Sequence, residues 1–98
     1  MHLIDEIRAK RDEIYAIARK HRAEKLWVFG SVARREERPD SDIDFLVSIP
    51  SDMTYFQRCD FSDEIAGALG RSVDLIPLRA LETSPCFAYN AKKDMVAL

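Results

Sequence analysis

Phe29-Gly30-Ser31-Val32-Ala33-Arg34-Arg35-Glu36-Glu37-Arg38-Pro39-Asp40-Ser41-Asp42-Ile43-Asp44-Phe45-Leu46-Val47 is the stretch on which the reading of this chain turns. Near its end two acids enter an apolar run with one residue between them. Side chains alternate along a strand, so Asp42 and Asp44 project from one face, roughly 7 Å apart, while Ile43, Phe45 and Val47 face the other way. Like charges on one face repel, and burial raises the penalty. A divalent cation turns that repulsion into attraction, because hard cations such as Mg2+ take carboxylate oxygens. A polar turn through Pro39-Asp40-Ser41-Asp42 accounts for Asp40 and even for Asp42. It does not account for Asp44, an acid inside an otherwise apolar strand.

Gly30 and Ser31 stand before Asp42 with ten residues intervening. Glycine lets the backbone come close to a ligand and adopt a turn closed to bulkier residues. Ser31 sits where a helix is expected to begin, and a helix start with free N–H groups binds phosphate. Taken alone, the pair reads as an ordinary strand-to-helix turn with Ser31 as N-cap. The acidic strand changes that reading. Ser31 follows the apolar run Leu26-Trp27-Val28-Phe29, and Asp42 precedes the next. They share a site most simply if the two strands run antiparallel, with the intervening residues forming a short helix over 32–38, stopped by Pro39.

Working outward, residues 3–22 carry a helical stripe of Leu3, Ile4, Ile7, Ile14, Ile17, Ala18 and His21, interrupted by Lys10 and Arg11. The second strand runs over 43–49 and closes at Pro50. Asp52 or Thr54 caps a helix ending at Gly70, with Phe56, Cys59, Ile65, Ala66 and Leu69 turned inward. A third strand spans 72–76, ended by Pro77, and a last helix opens at Pro85 with a frayed apolar end. The third strand carries another acid, Asp74, in Ser72-Val73-Asp74-Leu75-Ile76. A right-handed crossover through the 54–70 helix sets this strand parallel to the second and beside it, where Asp74 can meet Asp42 and Asp44 as metal ligand and general base.

Composition limits the function. Ninety-eight residues make one small domain, spanning 1–98. A net charge of −2 argues against a broadly basic surface and so against direct nucleic-acid binding. No apolar run reaches membrane-spanning length, and the N-terminus lacks the apolar core of a signal peptide. Cys59 and Cys86 form no CxxC pair and read as free thiols in a reducing, cytoplasmic setting. His2 and His21 read as surface or helix-face residues, and Trp27 as core.

The Gly30-Ser31 and Asp42-x-Asp44 motif, with its flanking strands and Asp74, resembles the minimal nucleotidyltransferases of the DNA polymerase β-like superfamily. The likeness runs from the leading helix to the Asp74 strand. It implies an α+β fold, a mixed β-sheet with helices packed against it, and Mg2+-dependent transfer from ATP or another nucleoside triphosphate. The family often has glycine two places after Ala33, where this chain has Arg35. In the mechanism implied, two cations lie between Asp42 and Asp44, with Asp74 joining the catalytic one. Gly30, Ser31, Arg34 and Arg38 bind the nucleotide, guanidinium forks matching phosphate oxygens. A solvated helix face paired with Glu36 and Glu37 explains the arginines equally well.

The catalytic set occupies most of the chain, so the acceptor is expected on another polypeptide. The resemblance implies a HEPN-domain ribonuclease toxin as partner, with adenylyl transfer to one of its tyrosines, an antitoxin role and a hetero-oligomer of the two. Two alternatives stand beside this: an antitoxin that neutralises only by masking its partner, and a small-molecule, antibiotic-type nucleotidyltransferase.

Overall fold

The computed structural model describes residues 2–38 and 42–98; Pro39, Asp40 and Ser41, to which the sequence assigns a helix stop and a polar turn, lie outside the described residues. Apolar runs bounded by glycine and proline give the strands: β1 (Leu26–Phe29), β2 (Ile43–Val47), β3 (Val73–Pro77) and a two-residue β4 (Val96–Ala97). They form one mixed sheet in the order β3-β2-β1-β4. β1 and β2 are antiparallel with Phe29 opposite Asp44. β3 is parallel to β2 and sets Asp74 beside Asp44. Both relations are those expected from the sequence.

Alternation along the strands sorts the side chains onto two faces. Leu26, Val28, Ile43, Phe45, Val47 and Leu75 form one face, packed by residues of α1 (Leu3–Ala9), α2 (Arg11–Lys20) and α3 (Tyr55–Leu69). Phe29, Leu46, Trp27 and Ile76 form the other, covered by Ala91 and Met95 from the C-terminal segment, which holds α4 (Ala80–Thr83) and α5 (Pro85–Asp94). The first face carries the main core. The second is a smaller cluster, and it leaves room for the acids.

Several expectations are corrected. The stripe over 3–22 is two helices, not one, broken at Lys10, whose backbone leaves the helical region (φ −101, ψ 16). Its ammonium donates to the Ala68 carbonyl at 2.6 Å, capping the far end of α3. Residues 32–35 form a turn and 36–38 an irregular stretch rather than a helix. α3 is capped by Thr54, with a full capping box to Gln57, and ends at a left-handed Gly70 as expected. Its inward face differs: Phe61 and Ile65 are fully buried, whereas Phe56 is 80% exposed. Phe61 and Ile65 lie four apart and share a face with Leu69; Phe56 is five before Phe61 and is turned off that face. The apolar end is not a frayed helix. It is β4, which pairs antiparallel with β1.

Candidate active site

Topology gathers the site at one end of the sheet. β1 ends at Phe29, while β2 and β3 begin there, so Gly30, Asp42, Asp44 and Asp74 converge at that end. Asp44 shares the parity of Leu46, and Asp74 that of Ile76, which places both on the face away from α1–α3. Asp42 and Asp74 are exposed and Asp44 is half-buried. Burial pushes the Asp44 carboxyl above its ordinary value, and the charges of Asp74 and Asp42 push it further the same way. Asp44 therefore lies within electrostatic reach of both other acids. Among the described residues, no three His, Cys, Asp or Glu side chains stand close enough to form a ready-made metal cage.

Gly30 is required here for two separate reasons. Its φ is +77°, a left-handed conformation that side chains resist. A Cβ at this position would also lie 2.9 Å from Asp44 Oδ2. Only glycine lets the Asp44 carboxylate lie against the turn backbone.

The turn after Gly30 is tight. Arg34 N–H donates to the Gly30 carbonyl at 3.1 Å and Glu36 N–H to the Ser31 carbonyl at 2.8 Å. No hydrogen bond to another described residue involves the N–H of Ser31, Val32 or Ala33. Val32 is fully buried and anchors the turn in the main core. Ser31 thus lies beside Gly30 at the acidic end, as expected, but on a turn.

The arginines are not all offered to a ligand. Arg34 Nη1 donates to Asp94 Oδ2 of α5 at 2.7 Å, and Nε to Glu36 at 3.1 Å. Arg35 takes a positive φ of 61°, a conformation that favours glycine, and its guanidinium makes a two-pronged contact with Asp5 at 2.9 and 3.1 Å. The Arg38 carbonyl accepts from Arg71 Nη1 at 3.3 Å, which ties the loop to the entrance of β3.

Two supporting residues escaped the sequence reading. Glu37 Oε1 accepts from the Leu3 N–H at 2.7 Å, so the loop closes the start of α1. That bond, with one from its own N–H, holds the Glu37 carboxyl below its ordinary value. Asp94 anchors Arg34 from 60 positions away. A lone acid at a helix end gives no signal of such a partner.

A family model described as polymerase β, nucleotidyltransferase matches residues 12–98. The chain belongs to that family. A candidate protein adenylyltransferase of Methanocaldococcus jannaschii, MJ0128, is 29% identical over 95% of this chain and 92% of its own length. The solved structure of a candidate minimal nucleotidyltransferase superposes with a TM-score of 0.80 at 33% identity, covering all of this chain and 97% of that one. A chain in the structure of tri-AMPylated Shewanella oneidensis HEPN toxin in complex with MNT antitoxin shares the fold, with a TM-score of 0.67 at 21% identity over 92% of this chain and 69% of that one. This nucleotidyltransferase is therefore a minimal member of the family, with the mixed sheet and helices its motif implied.

Proposed function

We propose that this nucleotidyltransferase moves an adenylyl group from ATP to a tyrosine hydroxyl of a HEPN-domain partner, and that it neutralises the partner as an antitoxin. The observation that supports the reading is Asp44 and Asp74 side by side on one sheet face, with Asp42 at the entrance of β2, beside a glycine turn whose backbone lies against the Asp44 carboxylate. The adenylyltransferase name of MJ0128 supports the group transferred. The AMPylated HEPN toxin in a complex that contains a chain of this fold supports the acceptor.

The acid set fits a divalent cation: three hard-oxygen donors at one end of the sheet, one of them half-buried and raised first by that burial and then by the charges of the other two. Asp42, Asp44 and Asp74 would hold it. When bound, Mg2+ supplies charge to orient the triphosphate and stabilise the departing pyrophosphate. The chain does the rest. Ser31 and the N–H groups of the turn bind the terminal phosphates, since a hydroxyl and amides with no partner among the described residues favour an anion. Asp74 takes the proton of the attacking hydroxyl. The new bond joins that oxygen to the α-phosphorus, the bond from the α-phosphorus to its bridging oxygen breaks, and pyrophosphate leaves. Arg34, released from Asp94, and Arg38 add positive charge near the phosphates.

The test is transfer of labelled adenylate from ATP, with Mg2+, to the protein encoded beside this chain. Label is expected on a partner tyrosine with wild type and not with Asp42→Ala/Asp44→Ala. Label that survives the double substitution, or never reaches the partner, overturns the reading.

A further inference from the structure

β3 is an edge strand: among the described residues nothing pairs with its outer side. The ladder to β2 fixes which backbone groups face outward. Ser72 C=O accepts from the Ile43 N–H and Leu78 N–H donates to the Val47 carbonyl, so the alternate residues Ser72, Asp74, Ile76 and Leu78 direct their backbone groups to β2. Leu75 therefore directs its N–H and C=O outward, and neither has a partner among the described residues. Val73 C=O is taken by the Ser62 hydroxyl at 2.7 Å. Pro77 has no N–H to offer. The open edge is short and centred on Leu75.

A groove of about 130 Å3 runs along this edge, between β3 and α3, lined by Tyr55, Arg58, Cys59, Ser62, Asp74 and Leu75. Tyr55 of this lining is 66% exposed, and its ring meets that of Phe56, 80% exposed, in edge-to-face contact. Aromatic and arginine side chains around a small pocket are the composition of binding hot spots. The same strand carries Asp74 on its other face.

We infer that the acceptor protein docks an extended, tyrosine-bearing segment onto the outer edge of β3. This inference rests on the transfer function proposed above. A segment running antiparallel to β3 exchanges both backbone hydrogen bonds with Leu75, as edge-strand recognition requires. Its residue opposite Leu75 drops its side chain into the α3 groove, which has room for one medium-sized side chain. The next residue, opposite Asp74, has its side chain on the Asp74 face, since directly opposed residues of paired strands stand about 4.5–5.5 Å apart. A tyrosine there has its hydroxyl directed along the acidic face of the sheet, where Asp74 takes its proton. One strand edge thus provides both grip and delivery. Backbone pairing supplies the affinity, and the groove sets the register that chooses which tyrosine is modified.

The experiment combines amide exchange with transfer kinetics, using the neighbouring gene product as acceptor. The Leu75 amide is expected to exchange quickly in the free protein and to slow by at least about tenfold in the complex. Cys59→Phe, which fills the groove, is expected to raise the KM for acceptor about tenfold while leaving the KM for ATP unchanged; Phe56→Ser, at an exposed position, is expected to move it the same way without disturbing the fold. Transfer that proceeds normally with an unprotected Leu75 amide and unchanged acceptor KM in both variants overturns the docking mode and leaves the transfer reading intact. Absence of transfer to any acceptor overturns both.

Discussion

At the scale of single residues, the site holds a compromise between stability and chemistry. Asp44 is half-buried among like charges, and its carboxyl is raised above the ordinary value by burial, Asp74 and Asp42. Its ionised form is therefore less stable in the folded protein than in the unfolded chain. Asp44→Asn is expected to raise the melting temperature of the metal-free protein at neutral pH, by a few degrees at the scale of a small domain, while abolishing transfer. Calorimetry at neutral pH and again at pH 3 checks this, because the gain should shrink once Asp44 is protonated. Gly30→Ala acts in the opposite direction. A non-glycine residue at φ +77° costs about 1–2 kcal/mol, and the added Cβ displaces the Asp44 carboxylate. Both the denaturation midpoint and the transfer rate should fall.

At the scale of elements, α3 links the core to the site, because it carries the crossover that makes β3 parallel to β2. Its boundaries are written locally. Thr54 N–H donates to Gln57 Oε1 at 2.9 Å and Gln57 N–H donates to Thr54 Oγ1 at 3.1 Å. Thr54→Ala should lower stability by about 1 kcal/mol in denaturant titration. Its inward face is set by packing. Phe61 is fully buried and stacks on His21 at 5.0 Å, so Phe61→Ala should cost about 3–5 kcal/mol, whereas Phe56→Ala should leave stability within about 0.5 kcal/mol. Equal effects in urea titration would contradict the observed phase of this helix. Hydrophobicity alone could not separate these two phenylalanines. The helix must be placed against the sheet before its face is known.

For the whole molecule, the acids divide by sign. Glu64 is lowered by Lys20 and His21, Asp5 by Arg35 and Glu37 by backbone N–H groups. Groups held below their ordinary values stabilise the fold above the unfolded pKa, near 4.5 for glutamate, and this is lost as pH falls through their folded values. The melting temperature should accordingly decline below about pH 4, modestly because these groups are partly exposed and screened, and Glu64→Gln should flatten part of that decline. Asp44 contributes with the opposite sign, and a bound cation would remove its penalty. Mg2+ is expected to raise the melting temperature of wild type at neutral pH, following the binding linkage, and to leave Asp42→Asn/Asp44→Asn unchanged. A Mg2+ shift equal in both proteins would place the cation elsewhere.

The sequence by itself determined what is local: the strand that begins at Ile43 and carries Asp44, the glycine turn, the Thr54 cap and the Gly70 stop. It also determined the sheet order of β1, β2 and β3, because antiparallel pairing across a short loop and a right-handed helical crossover leave few alternatives. Tertiary structure alone decided the rest. The break at Lys10 is joined to the end of α3, 58 positions distant; Arg34 is held by Asp94; β4 exists because β1 offers its open edge to Val96 and Ala97. Each of these depends on a partner far along the chain. Local pattern reports how a segment can fold, but only packing selects which distant group meets it.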